Sequence, residues 1–126
     1  MRELFDVTTN LLSKALEYTG TRHRLLSNNI ANLDTPNYKA VDIKFEDALQ
    51  QVRLADSRNG AIEGQKAEPK LVLYASNGDA YSDGNTVEIE EQVMKMTENN
   101  ILHNSFVNLI KMKFRMLESA ISESRR

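Results

Sequence analysis

Between Val93 and Ile121 the chain returns to the same face in alternating steps of three and four: Val93, Met96, Asn100, His103, Val107, Ile110, Phe114, Leu117, Ile121. This is a heptad seam sustained over four repeats, and it commits the segment to one long α-helix that buries a stripe against another helix. A second apolar row, Leu102, Phe106, Leu109, Met116 and Ala120, runs alongside. The apolar face is wider than a two-stranded seam requires, so a lone helix pair leaves part of it for a partner. Asn85 is placed to cap the helix, with Glu88 completing a capping box. Glu88, Glu90 and Glu91 near the start, and Lys111, Lys113, Arg115, Arg125 and Arg126 toward the end, favour the helix dipole.

A partner helix is present at the other end of the chain. From Leu4 to Leu33 apolar residues recur at helical spacing: Leu4, Thr8, Leu11, Ala15, Tyr18, then Leu25 with Leu26, and Ile30 with Leu33. Gly20 weakens this helix by roughly 1 kcal/mol without ending the pattern. A helix of that span is about 45 Å long. It ends in "SNNIANLDTPNYKA", Ser27 to Ala40, where four asparagines replace the usual lysines and glycine. Pro36 excludes Thr35 from the helical region, so the helix finishes at or before Asp34. Thr35-Pro36-Asn37-Tyr38 reads as a turn, with asparagine at the position that often needs a left-handed backbone. Asn28, Asn29 and Asn32 are then available for the last free carbonyls or for a neighbouring chain.

The middle is different. In "VDIKFEDALQQVRLA", Ile43, Phe45, Ala48, Leu49 and Val52 suggest a short helix, and "KLVLYA" suggests one short strand. Around them lie "DSRNGAIEGQKAEP" and "YASNGDAYSDGN", dense in turn residues. Residues 42–91 carry five basic and eleven acidic side chains. With too few apolar residues for a core of its own, this zone reads as a long, partly mobile loop. The expected fold is mostly α: two long terminal helices in an antiparallel coiled-coil-like hairpin, joined by a short helix and that loop. Residues 1–38 hold the first helix and its turn, 39–84 the loop-rich middle and 85–126 the heptad helix, together one structural domain.

Several chemistries are excluded. The chain of 126 residues has no cysteine, which removes disulfides, thiolate catalysis and Cys-containing metal sites. A net charge of −2 gives no electrostatic reason to expect nucleic acid or an anionic membrane. The first residues lack the pattern of a cleaved secretory signal, and no run approaches the roughly 18 apolar residues of a spanning helix. His103 lies in the seam as a partly buried, hydrogen-bonded side chain, and His23 sits between Arg22 and Arg24 on a solvated face. No serine has a nucleophile-elbow context, and "GAIEG" and "NGDAYSDGNTVE" are neither phosphate nor calcium loops. No enzyme, metal or other cofactor is expected. Met94, Met96, Met112 and Met116 suggest either plain packing or an adaptable groove, with packing the usual case. Asn99, Asn100 and Asn104 are unusual helix residues. Buried at a seam, such an amide fixes register and partner number; facing water, it does neither.

At the amide-rich stretch the sequence resembles the flagellar rod, hook and hook-associated axial proteins. Their first helix ends in a signature close to "NNIANxxTPGYK", matched here by Asn28, Asn29, Ile30, Ala31, Asn32, Thr35, Pro36, Asn37 and Tyr38. "DIKFEDAL" directly after it, the short length, and "DGNTVEIEEQVMKMTENNILHNSFVNLIKMKFRMLESAI" are most similar to the proximal rod members. The resemblance covers both ends, about two-thirds of the chain. Asn37 stands where the family usually has glycine, and Glu88 where aspartate is common. Asparagine is the next best residue for a left-handed turn, so the turn is expected to survive.

The resemblance implies a structural subunit of the bacterial flagellar basal-body rod, exported uncleaved by the flagellar type III apparatus. It further implies that the terminal helices pack in a helical tube around the export channel. Assembly contacts would then involve Leu4, Leu11, Leu12, Ala15, Leu25 and Leu26 from the first helix. From the last they would involve Val93, Met96, Asn100, His103, Val107, Ile110, Phe114, Leu117 and Ile121. Implied partners are further copies of the chain, neighbouring rod proteins, the ring-to-rod junction protein and the export gate. A heterologous, non-closing contact of this kind builds a filament. Helices partly disordered until assembly suit passage through a narrow channel. Two rivals stand beside this reading: the second proximal rod protein, and a cytosolic coiled-coil adaptor or export chaperone.

Overall fold

The computed structural model describes residues 2–46, 49–50, 73–75, 84–85 and 87–125, with side chains outside residues 2–6 and 73–75. Among the described residues four elements follow in order: α1 (Arg2–Ala31), β1 (Val41–Ile43), β2 (Leu73–Ala75) and α2 (Ile89–Ser124). The fold is mostly helical. The two helices run about 45 and 54 Å and lie antiparallel, since residues late in α1 meet residues early in α2: Asn29 bonds Gln92, and Thr19 bonds Asn99 and His103.

The seam is built from a row on each helix. On α1 it comprises Leu12, Ala15, Thr19, Leu26 and Asn29, all buried, with half-buried Arg22 completing the three-four alternation. Gly20 lies outside it, exposed, in unbroken helix. On α2 the inward row is Gln92, Met96, Asn99, His103, Phe106, Ile110, Lys113 and Leu117. Four of the nine predicted seam positions are therefore turned outward. Met96, His103, Ile110 and Leu117 are half-buried as expected, and so is Val107. Val93, Asn100, Phe114 and Ile121 are exposed. The helix is turned by roughly 50° from the apolar-only register. The reason is polar: Gln92 and Asn99 reach hydrogen-bonding groups on α1, and positions 93 and 100 turn outward as a result.

One further expectation shifts and another holds. Ile43 belongs to a strand, not to the short helix; helical backbone occurs at residues 45–46 and 49–50, and Ala48 and Val52 lie outside the described side chains. The strand expected in "KLVLYA" is β2, which pairs antiparallel with β1 in the register Val41↔Ala75, Asp42↔Tyr74, Ile43↔Leu73. Most of the loop expected between them also lies outside the described residues. β1 packs against α1; its Ile43 and the preceding Ala40 are buried and complete a core with Leu12, Ala15, Tyr18, Leu26 and Val87.

Candidate functional site: the clamped turn and the open helix face

α1 stops at Ala31 because the next residues turn the chain back through a closed set of hydrogen bonds. Asn32 donates from its backbone to the Asn28 carbonyl at 3.1 Å and from Nδ2 to the same oxygen at 2.8 Å. Thr35 donates from its backbone to the Asn32 carbonyl at 3.1 Å and from Oγ1 to Asn32 Oδ1 at 3.1 Å. Tyr38 N–H donates to the Thr35 carbonyl at 3.3 Å, closing a turn around Pro36 and Asn37. Asn37 has φ 61°, the left-handed value required at the third position of a type II turn. Asn28 is exposed and contributes its carbonyl.

The expected cap at Asn85 is replaced by something else. α2 begins at Ile89, and Glu88 occupies the N-cap position without a side-chain capping bond. The first helical bond runs from Gln92 N–H to the Glu88 carbonyl at 3.0 Å. Asn85, fully buried, instead points Nδ2 at the carbonyls of Asn32, Leu33 and Thr35, at 3.0, 2.8 and 2.8 Å. Its Oδ1 accepts from Val87 N–H at 2.7 Å. One side chain thus supplies the C-terminal cap of α1 from the residue that sequence alone assigns to α2. Beside it Gly84 has φ 78°, and a Cβ there would lie 2.5 Å from Asn37 Oδ1. Lys39 Nζ donates to the Gly84 carbonyl, tying the segment just after the turn to Gly84.

Deeper in, Asn29 joins three elements. Its Nδ2 donates to the Val41 carbonyl and to Gln92 Oε1, both at 2.8 Å. Its Oδ1 accepts from Val41 N–H at 3.1 Å and from the Tyr38 hydroxyl at 3.3 Å. The amide behaves as a strand neighbour for Val41, so β1 is anchored to α1 as well as to β2.

A salt bridge lies next to it. Arg22 Nε and Nη2 bond the two Asp42 oxygens at 2.9 Å each, and this hydrogen-bonded pairing raises the guanidinium pKa. Lys95 of α2 lies 3.8 Å from Asp42 and 2.7 Å from Glu91. Tyr18 donates to the Ile43 carbonyl at 3.2 Å; burial, the main cause, pushes its phenol pKa up. Its ring begins a stack through Phe45 to Phe106, with centroids 5.1 and 5.7 Å apart.

At the seam, Thr19 receives two α2 side chains. Asn99 Nδ2 donates to its carbonyl at 2.8 Å. Thr19 Oγ1 gives its one hydrogen to the Leu16 carbonyl at 2.9 Å, so His103 Nδ1, 2.8 Å away, is the donor in that contact. The residues that sequence reasoning passed over are Thr19, Arg22, Asp42, Gln92 and Asp42's neighbour Lys95. For the four on helices the one available signal was polar character recurring at three-four spacing; Asp42, on β1, had none.

The second feature is what α2 leaves open. Val93, Met94, Ile101, Leu109, Met112, Phe114, Met116 and Ile121 are exposed, Ile101 by 63 % and Phe114 by 61 %. From α1, Leu12, Ala15 and Leu26 are buried and Leu11 and Leu25 half-buried; the Leu4 side chain lies outside the described residues. Among the described residues no group of three or more His, Asp or Glu is arranged to hold a metal ion.

Comparison with known proteins addresses the same residues. A family described as flagella basal body rod protein matches residues 22–39, the span that holds Arg22, Asn29 and the whole turn. The flagellar basal body rod protein FlgB of Cereibacter sphaeroides is 35 % identical over 86 % of this chain and 89 % of its own length. The chain belongs to the FlgB family of flagellar basal body rod proteins. The FlgB protein of Aquifex aeolicus is 32 % identical over 78 % of this chain and 79 % of its own length. That of Bacillus subtilis is 27 % identical but spans 94 % of this chain and 96 % of its own. With FlgB proteins matched over nearly the full length, neither the adaptor nor the second proximal rod protein is favoured.

Proposed function

We propose that this chain is a non-enzymatic structural subunit of the flagellar basal-body rod, in its proximal part, and that it assembles through the open face of α2. The reading is carried by one conjunction: likeness to rod proteins over most of the chain, and a helix of 36 residues with only one side covered. Each large apolar side chain on that face gains about 1.5–3 kcal/mol on burial, enough for a few such contacts to drive association. The clamped turn fixes where α1 ends relative to α2, so every copy presents the face at the same angle. A face that meets a different surface on its neighbour extends into a helical tube without closing.

Leu11, Leu25 and Val107, half-buried within the chain, extend the contact to neighbouring copies, while Val93, Asn100, Phe114 and Ile121 face them directly. Export without cleavage through the flagellar type III apparatus, and contacts with neighbouring rod proteins, the ring-to-rod junction protein and the export gate, complete the proposal. The test is mass spectrometry of detergent-resistant basal bodies from motile cells. The chain is expected there in few copies with its N-terminus intact; recovery from the cytosol alone would contradict the assignment.

A further inference from the structure

The side of α2 turned away from α1 carries three exposed methionines: Met94 at 57 %, Met112 at 56 % and Met116 at 61 %. They lie on one line, since Met94 and Met112 are about five turns apart and Met116 follows one turn later. Gln92 and Asn99, which face α1, sit roughly 150° round the helix from Met94 and Met112 and roughly 110° from Met116. Methionine ordinarily fills gaps in a packed interior. Here it lines solvent, and Met96, half-buried in the same helix, provides a built-in comparison.

We propose that Met94, Met112 and Met116 form a modification site for peroxide-class oxidants, and that their sulfoxides close the α2 face to association. The thioether lone pair attacks one oxygen of the peroxide, and the S–O bond forms as the O–O bond breaks. With hydrogen peroxide the departing hydroxide takes up the proton of the transferred oxygen and leaves as water. The sulfur loses two electrons and the peroxide gains them: one thioether and one H2O2 give one sulfoxide and one water. The product is polar, so three positions along the stripe lose their reason to leave water. Reduction by a methionine sulfoxide reductase returns the apolar face. The consequence for association rests on the rod reading; the site does not.

The experiment exposes the full-length chain to dilute hydrogen peroxide and follows each methionine by peptide mass mapping. Sulfoxide is expected at Met94, Met112 and Met116 about fivefold or more faster than at Met96, in line with exposure. In parallel, binding of an apolar fluorescent dye should fall on oxidation of the native chain and return after reductase treatment. The variant M94L/M112L/M116L should keep its dye binding throughout. Equal oxidation of Met96 and the other three, or unchanged dye binding after full oxidation, would overturn the proposal. A selective oxidation map in a chain absent from basal bodies would count against the rod reading alone.

Discussion

Asn29 uses all four of its amide hydrogen-bonding positions, two toward Val41 and one each toward Gln92 and Tyr38. A buried amide so completely matched has no tolerable neighbour in chemistry. Asn29→Asp removes both donors and sets a carboxylate against the Val41 carbonyl and Gln92 Oε1. Each buried group left unpaired costs about 1–3 kcal/mol, so the variant should lose at least about 2 kcal/mol in urea denaturation. Asn85→Ala should cost about 1–3 kcal/mol by the same measurement, because the Asn32, Leu33 and Thr35 carbonyls lose their shared donor. A third residue sets a pH limit. The Tyr18 phenol pKa is raised by burial, so the folded state favours its neutral form. Its contribution is complete below the free phenol's value near 10 and is lost as pH rises through the folded value. Stability should therefore fall more steeply above pH about 10 in the native chain than in Tyr18→Phe, measured by denaturation across alkaline pH.

At the scale of the element, α1 and α2 are both long, but only their seam is specified, and it is specified by polar groups. Gln92 and Asn99 are buried, and Gln92 Nε2 and Asn99 Oδ1 lack a partner among the described residues. Such atoms cost stability and fix register instead. Gly20 points the other way: a Cβ there meets nothing within 4 Å, so Gly20→Ala should raise stability by about 1 kcal/mol in thermal or urea unfolding. Both helices, the turn around Pro36 and the left-handed Asn37 were legible in sequence, because periodicity, proline and asparagine act locally. The rotation of α2 was not. Val93, Asn100 and Phe114 satisfy a heptad template as well as Gln92, Asn99 and Phe106 do, and only contact with Asn29, Thr19 and Phe45 separates the two rows. Asn85 was misread for the same reason: its spacing to Glu88 fits a capping box, but its donors answer carbonyls 50 to 53 positions away.

At the scale of the whole molecule, the turn and the open face divide the work. The turn, the Asn85 clamp and the Arg22–Asp42 bridge hold α1, β1 and α2 in one arrangement. The outward side of α2 carries none of that burden, and its substitution should leave the fold intact. The most direct measurement is therefore the double variant Ile101→Glu/Phe114→Glu, followed both by circular dichroism of the purified chain and by its recovery in basal bodies. If the open face drives rod assembly, helicity and unfolding midpoint should stay close to the native values while the variant disappears from basal bodies and motility is lost. A variant that folds normally and still incorporates at the native level would contradict the account.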